Sequence, residues 1–205
     1  MESGKFIIDE IIALEWDMFH SVNNVGGKAD CQDQSETFDI MRRCNLMTWP
    51  EELLCSYRAD LYSALGEGRN LMTEKYARMM EYTFPLEYES IKSCLPALDN
   101  EVEDLVERAV SILLPWEEDM RTRYPFIAAR GRGLSENEGA GLKTSFETYS
   151  RSELNTYSVE TLRLYATHLE HLKNVGENGS RLVYENMVQL YGYSGLEEAN
   201  EKMAY

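Results

Sequence analysis

Two acid–arginine pairs in the chain have the residue types and the spacing to bind an anion. Asp39 lies four residues before Arg43, and Glu147 lies four residues before Arg151. At this spacing both side chains of a pair share one face of a helix, where the acid can orient the guanidinium. A guanidinium binds a carboxylate or a phosphate through two parallel hydrogen bonds. We therefore interpret the pairs either as structural ion pairs or as ligands for a small anion.

The sequence Arg130-Gly-Arg132-Gly is a second candidate for anion binding. It lies in the stretch 125–141, which lacks helical periodicity and is rich in Gly, Arg, Ser and Glu. Glycine allows a backbone to approach a ligand closely, and the two arginines could clamp it. The stretch lacks the strand, the lysine and the helix of a phosphate-binding P-loop. We expect either a solvated flexible loop or a loop that covers a ligand.

Two weaker patterns could support catalysis or metal binding. Cys31 could act as a nucleophile with His20 as its base, or it could be a structural cysteine. Asp17 and His20 have the i, i+3 spacing of half a carboxylate di-iron site. Glu117 repeats the acid in the second half of the chain, but Met120 occupies the position of the second histidine. We therefore predict no metal site and leave the role of Cys31 open.

The residues around the two acid–arginine pairs occur twice in the chain. A shift of 108 positions aligns eight identical residues within about 26 positions, where composition alone would give roughly two. The first copies are Phe38, Arg43, Leu46, Thr48, Glu52, Leu54, Tyr57 and Leu61. A shift of 100 positions aligns the preceding helix, residues 12–17, with residues 112–117. We interpret the pattern as a tandem duplication in a single domain, 1–205, with units at about 5–83 and 105–193 and a connector at 84–104.

The duplication predicts where a ligand would lie. If the units pack about a pseudo-twofold axis, Arg43, Arg151 and the adjacent Arg42 would surround one central cleft, and Asp39 and Glu147 would orient the arginines. The tryptophans of the repeated helices, or those of them that are not core residues, would form the apolar walls of this cleft. These are Trp16, Trp49 and Trp116.

Helical periodicity runs through most of the chain, and no segment alternates with a period of two. We predict an all-α fold, a helical bundle built from the two units. Thr48-Trp49-Pro50-Glu51 predicts a helix start, because threonine and glutamate have capping-box spacing and proline suits the first turn. Pro115 is expected to kink or divide a long helix that ends near Tyr124.

The composition limits the partners of the protein. A net charge of −16 argues against binding to nucleic acid or to an anionic membrane, since both would be repelled. No apolar run is long enough to span a bilayer, and the first residues do not form a signal-peptide pattern. The four cysteines have no CxxC spacing. We expect a cytoplasmic protein without a cofactor, since no cofactor fingerprint is present.

Distinctive short runs are spread over nearly the whole chain. They are LEWDMF at 14–19, NVGG at 24–27, CQ at 31–32, FDIMR at 38–42, Trp49, EGRNL at 67–71, EKYAR at 74–78, TSFETY at 144–149, EL at 153–154, TYS at 156–158 and LYGY at 190–193. Together they resemble an uncharacterised bacterial family catalogued as domain of unknown function 4125. Some members are joined to a nucleotidyltransferase-like domain, which implies a role near nucleotides or phosphorylated metabolites. The resemblance implies no established activity and no catalytic residue.

We therefore expect a small anionic metabolite, bearing a carboxylate or a phosphate, to bind between the two units. If the protein is an enzyme, a question that the sequence leaves open, acid–base or group-transfer chemistry fits better than redox chemistry. The alternative is a non-catalytic helical adaptor whose aromatic-rich grooves hold a partner protein or domain.

Overall fold

Helices make up the regular structure of the protein. The computed structural model describes residues 2–22, 30–135 and 144–205, and within these ranges it contains eleven α-helices and no strand. The predicted all-α class is confirmed for this part of the chain. The helices are α1 (Glu2–His20), α2 (Ser35–Leu46), α3 (Glu51–Gly66), α4 (Leu71–Thr83), α5 (Pro85–Ile91), α6 (Asn100–Arg123), α7 (Pro125–Ala128), α8 (Phe146–Leu154), α9 (Val159–Asn174), α10 (Gly179–Leu190) and α11 (Leu196–Lys202). Two 3-10 helices lie at Asp30–Asp33 and Lys92–Cys94.

The main hydrophobic core lies between α1, α3, α6 and α9. Helix α1 contacts α3, α3 contacts α9, and α9 contacts α6. On α1 the buried residues Ile8, Ile11, Ile12 and Phe19 recur at intervals of three, four and seven, so that one wide stripe faces the core. Burying each such side chain stabilises the fold by about 1.5–3 kcal/mol. The helices α4 and α10 lie outside this layer, with α4 packed on α8 and α10 packed on α2.

Helix α6 continues through Pro115 as one element from Asn100 to Arg123. The expected division of this helix does not occur. Proline removes one intrahelical hydrogen bond, which would come from position 115 to the carbonyl of Ser111. Both residues are exposed, so water can satisfy that carbonyl, and the buried residues on the opposite face keep the helix in place.

The predicted helix start at Thr48 is displaced. Pro50 is the N-cap of α3 and has an extended backbone. The Thr48 hydroxyl instead donates to the Asn45 carbonyl at 2.7 Å, at the end of the preceding helix.

The stretch 125–141 also differs in part from the expectation, because residues 125–128 form α7 and bury Ile127 and Ala128. Residues 136–143 lie outside the described ranges. None of the described helices is long and apolar enough to cross a membrane.

Candidate functional site

Seven polar side chains meet in the interior between α1, α2, α3, α4 and α8. We call them the central polar cluster: Glu15, Arg42, Tyr57, Lys75, Tyr149, Glu153 and Tyr157. Four of them are charged residues that are at least nine-tenths buried, with exposed fractions of 0% for Glu15, 7% for Arg42, 3% for Lys75 and 9% for Glu153. Residues with these side chains are almost never buried unless they are paired.

Arg42 connects the two acids of the cluster. Its Nε and Nη2 atoms donate to the two carboxylate oxygens of Glu15 at 2.7 and 2.6 Å. Its Nη1 atom donates to Glu153 Oε1 at 2.9 Å. One guanidinium therefore joins α1 to α8, with the bidentate geometry that gives the strongest arginine–carboxylate pairs.

Lys75 completes the charge balance. Its Nζ atom donates to Tyr149 Oη at 2.8 Å and to Glu153 Oε2 at 3.2 Å. The two other phenols support the acids, since Tyr57 donates to Glu15 at 2.7 Å and Tyr157 donates to Glu153 at 3.0 Å. The cluster thus pairs two carboxylates with two cations.

The electrostatics keep these groups charged. Burial acts to raise the pKa of the Glu153 carboxyl, but the Arg42 and Lys75 cations outweigh it and hold that pKa well below its usual range. Burial acts to lower the pKa of the Lys75 ammonium, but Glu153 outweighs it and the pKa is raised. Burial raises the pKa of Tyr57 and of Tyr157, so both phenols stay protonated and can donate.

Stability alone does not account for this arrangement. Taking ions out of water costs several kcal/mol per ion, and well-packed apolar residues often serve a core equally well. Buried groups with strongly shifted pKa values occur preferentially at functional sites. The central polar cluster is therefore the best candidate for the centre of a functional site.

The cluster approaches the surface at Arg132. The guanidinium carbon of Arg132 lies 4.5 Å from the centroid of the Tyr149 ring, and Lys75 Nζ lies 4.2 Å from the same centroid. Arg132 Nη1 donates to the Thr144 carbonyl at 3.3 Å, and Arg121 donates to the Arg132 carbonyl. Tyr149 and Arg132 are both half-buried. We call Lys75, Arg121, Arg132 and Tyr149 the Arg132 corner.

The structure pairs Arg43 and Arg151 with separate acids and places neither in the central polar cluster. Arg43 donates to Asp39 at 2.8 Å and to Asp9 at 2.7 Å. Arg151 donates to Glu147 at 3.0 Å and to Glu107 at 2.7 Å. Both predicted i, i+4 pairs are thus formed. The second acid of each arginine comes from another helix, Asp9 of α1 for Arg43 and Glu107 of α6 for Arg151, and both guanidinium groups are partly exposed.

The three tryptophans pack against the main core rather than around one cavity. Trp16 contacts Phe38, with ring centroids 5.2 Å apart. Trp49 contacts Tyr57 and Tyr165, with centroids 5.6 and 5.4 Å apart. A cavity beside Trp49 has a volume of only about 30 Å³, which suits a single water molecule and not a metabolite.

Trp116 is packed directly against the backbone of α10. A Cβ atom on Gly179 would lie 2.7 Å from Trp116 Cζ3 and 3.2 Å from its Cε3 atom. We therefore expect Gly179→Ala to lower the free energy of unfolding by about 1–3 kcal/mol through overpacking, measured by urea denaturation. Gly66→Ala is the matched control, since no atom lies within 4 Å of its added Cβ and alanine favours a helix. A Gly179→Ala protein as stable as the control would mean that the indole is not held in this position.

The remaining candidates stand apart from the cluster. Cys31 lies in the 3-10 helix Asp30–Asp33, but its side chain is outside the described residues. His20 is exposed at the end of α1, with Nδ1 3.1 Å from the Gln32 carbonyl oxygen, and Asp17 is also exposed. Arg130 is exposed in its loop. In the part of the chain that the structure describes, no three His, Cys, Asp or Glu side chains are grouped to hold a metal ion.

Arg42 was the one cluster residue among the sequence candidates, and the other six were missed: Glu15, Tyr57, Lys75, Tyr149, Glu153 and Tyr157. A signal for the charged ones was present in the helical pattern. Glu15 lies four residues from the apolar Ile11 and Phe19, so a carboxylate interrupts an otherwise apolar stripe. All six except Tyr57 also lie within the runs that carry the family resemblance.

A comparison with protein families places almost the whole chain in one of them. The model described as "Protein of unknown function (DUF4125)" matches residues 5–201. No curated protein and no solved structure matches the chain. The family description names no activity, so a functional argument depends on the geometry of the site.

Proposed function

The chain belongs to the DUF4125 family, and from this premise and the geometry of the site we propose that it binds a small anionic ligand at the Arg132 corner. The observation that carries the proposal is the convergence of two cations on one tyrosine. Lys75 Nζ and the Arg132 guanidinium lie 4.2 and 4.5 Å from the Tyr149 ring centroid. Among the described residues no carboxylate pairs with Arg132.

An unpaired arginine is unusual on so acidic a chain. The sequence has 36 Asp and Glu against 20 Lys and Arg, and most other arginines of the structure have an acid partner. A guanidinium that is half-buried and without such a partner favours an anion, because its fork of donors matches a carboxylate or a phosphate.

Tyr149 can contribute a further donor. Its hydroxyl oxygen accepts a hydrogen bond from Lys75, so its own O–H is free to point toward a ligand. Lys75 in turn is held by Glu153, and Glu153 by Arg42. The central polar cluster would thus fix the donors of the binding site in place before the ligand arrives, which lowers the entropic cost of binding.

We also infer that the two halves are a tandem duplication related by a pseudo-twofold axis. At the shift of 108 positions, α2 corresponds to α8 and α4 corresponds to α10. The contact of α4 with α8 and the contact of α10 with α2 are therefore equivalent, which supports this inference. Asn70 donates to the Met18 carbonyl, and Asn178, 108 positions later, donates to the Trp116 carbonyl. These contacts favour a shift of 98 rather than 100 positions between α1 and α6. The ion pairs Arg43–Asp9 and Arg151–Glu107 favour the same shift.

The duplicated framework would carry only one such site. At these shifts Arg42 corresponds to Ser150, Lys75 to Val183 and Glu15 to Leu113. The second half therefore lacks the charges of the cluster, and a single anion would bind at one place between the halves rather than at two equivalent places.

Ligand-dependent stabilisation tests the proposal. We expect inorganic phosphate, pyrophosphate, nucleotides or small carboxylic acids, screened singly, to include an anion that raises the melting temperature. An anion at 100 times its Kd would stabilise the fold by about 2.7 kcal/mol. Arg132→Met should weaken that binding at least tenfold in isothermal titration calorimetry, because it removes the unpaired guanidinium.

Arg123→Met is the matched control for charge. Arg123 is exposed on α6 and is paired with Asp119 at 2.9 Å, so its loss should leave the Kd unchanged. Equal affinity of the Arg132→Met protein and the wild type would contradict the proposed site. The same conclusion would follow if none of the anions stabilised the wild type.

A further inference from the structure

Arg78 is a buried cation without an acid. The residue lies on α4 and is 6% exposed. Its Nη2 atom donates to the Pro96 carbonyl at 2.8 Å, whereas its Nε atom is enclosed and has no acceptor. The guanidinium therefore has a buried donor that the described part of the protein leaves unsatisfied.

The other buried cations differ from Arg78 in this respect. Arg42 and Lys75 have carboxylate oxygens at distances between 2.6 and 3.2 Å. No carboxylate of the described residues pairs with Arg78. Its neighbour one turn earlier, Glu74, gives both oxygens to Arg69, at 2.8 and 2.9 Å. The acid one turn earlier on the helix is thus already occupied, and Glu81, one turn later, is exposed and forms no ion pair with Arg78.

The lack of an acid has an electrostatic consequence. Burial lowers the pKa of the Arg78 guanidinium and Arg69 acts in the same direction, whereas Tyr88, Glu74 and Glu81 act to raise it without outweighing the burial. An arginine nevertheless keeps its proton at any ordinary pH. A buried charge that cannot be neutralised by losing a proton requires a counter-ion.

Arg78 is buried close to the surface of the protein. The Pro96 carbonyl that Arg78 contacts belongs to a short segment at the end of the 3-10 helix Lys92–Cys94, and Cys94, Pro96 and Ala97 are exposed. Arg78 therefore lies directly beneath the surface. We propose that Arg78 is a second anion-binding site, which takes the carboxylate or phosphate group of a ligand between α4 and residues 94–97.

This site is separate from the Arg132 corner. Lys75 and Arg78 are on the same helix, but Lys75 contacts Tyr149 and Glu153 of α8, whereas Arg78 contacts Pro96 in the connector. A ligand at one place does not require a ligand at the other, so each can be tested while the other is disabled.

The experiment uses inorganic phosphate and acetate as probes on the Arg132→Met protein. Melting temperatures are compared with those in chloride at equal ionic strength. Phosphate also stabilises proteins by exclusion from their surface, so the comparison is made between Arg132→Met and the double variant Arg132→Met/Arg78→Met. We expect an anion-dependent rise that is lost in the double variant. Equal rises in both proteins would overturn the proposal.

A second measurement does not depend on the folding of the Arg78→Met protein. The Nε–H resonance of Arg78 is followed by nuclear magnetic resonance while phosphate or acetate is added to the wild type. We expect a saturable shift in the wild type. In Arg78→Lys this resonance is absent, so the Kd is measured by isothermal titration calorimetry in the Arg132→Met background and should be at least tenfold higher than for Arg132→Met alone, because lysine keeps the charge but lacks the fork of donors. An Nε–H signal that neither anion moves, or an unchanged Kd in Arg78→Lys, would overturn the proposal.

Discussion

Replacing Arg42 with methionine is expected to lower the free energy of unfolding by about 3–5 kcal/mol. The substitution keeps most of the side-chain volume but leaves Glu15 without its bidentate partner and Glu153 without one of its two cations. Both carboxylates would remain buried, and an uncompensated buried charge is among the few changes that destabilise a protein this strongly. Urea denaturation followed by circular dichroism at pH 7 measures the effect.

Arg43→Met is the matched control because it removes the same group one residue later. Arg43 contacts acids that are themselves partly exposed, with side-chain exposed fractions of 49% for Asp9 and 40% for Asp39. Ion pairs of this kind contribute about 0–1 kcal/mol. If Arg42→Met lowered the free energy of unfolding as little as Arg43→Met, water molecules or bound protons would have to compensate the two acids. The central polar cluster would then not be a network of ions from which water is excluded.

One residue separates Arg43, the duplicated candidate, from Arg42, the adjacent candidate that the fold buries in the central polar cluster. Adjacent residues on a helix are about 100° apart, because a turn takes 3.6 residues. Arg42 lies four residues from Phe38 and from Leu46, on the stripe that faces the core, whereas Arg43 lies beside that stripe. The internal repeat drew attention to Arg43 because it is duplicated, but duplication indicates a shared fold and does not identify the buried face.

The same local pattern marks the other charges of the central polar cluster. Each is flanked at both i−4 and i+4 by apolar or aromatic residues: Glu15 by Ile11 and Phe19, Arg42 by Phe38 and Leu46, Lys75 by Leu71 and Met79, and Glu153 by Tyr149 and Tyr157. A charge in the middle of an apolar stripe must either break the stripe or be buried with a partner. Helical periodicity therefore indicated these four charges, but it did not indicate the buried Glu74, Arg78 and Glu117, each of which has a charged or amide residue at i−4 or i+4.

The partners of these charges could not be predicted in the same way. Arg42 binds Glu15 across 27 positions and Glu153 across 111. Such pairs depend on which helices pack together, and that choice is made by many apolar contacts at once rather than by a local signal. The end of α3 shows the contrast, since the helix ends at Gly66 and the following turn needs only a local residue, Gly68, with its positive φ of 70°.

Glu153→Gln is expected to lower the free energy of unfolding by about 3 kcal/mol at pH 7, because it leaves Lys75 without a carboxylate and removes one from Arg42. The loss should depend on pH. Burial acts to raise the pKa of the Glu153 carboxyl, but Arg42 and Lys75 outweigh it, so the pKa in the folded protein is lowered. Because the pKa is lowered in the folded protein, the ionised carboxylate stabilises the fold fully at any pH above its pKa in the unfolded chain, which is about 4.3 for glutamate. This stabilisation decreases progressively as the pH falls below that value.

The difference between wild type and Glu153→Gln in urea denaturation should therefore be largest at pH 6–7 and should shrink between about pH 4 and pH 3. Glu147→Gln, on the same helix and partly exposed, is the control and should cost less than about 1 kcal/mol at any of these pH values. A difference that grew on acidification would mean that the folded protein binds a proton at Glu153 more readily than the unfolded chain. Arg42 and Lys75 would then not hold an ionised carboxylate, and the cluster could not orient Lys75 and Tyr149 toward an anion.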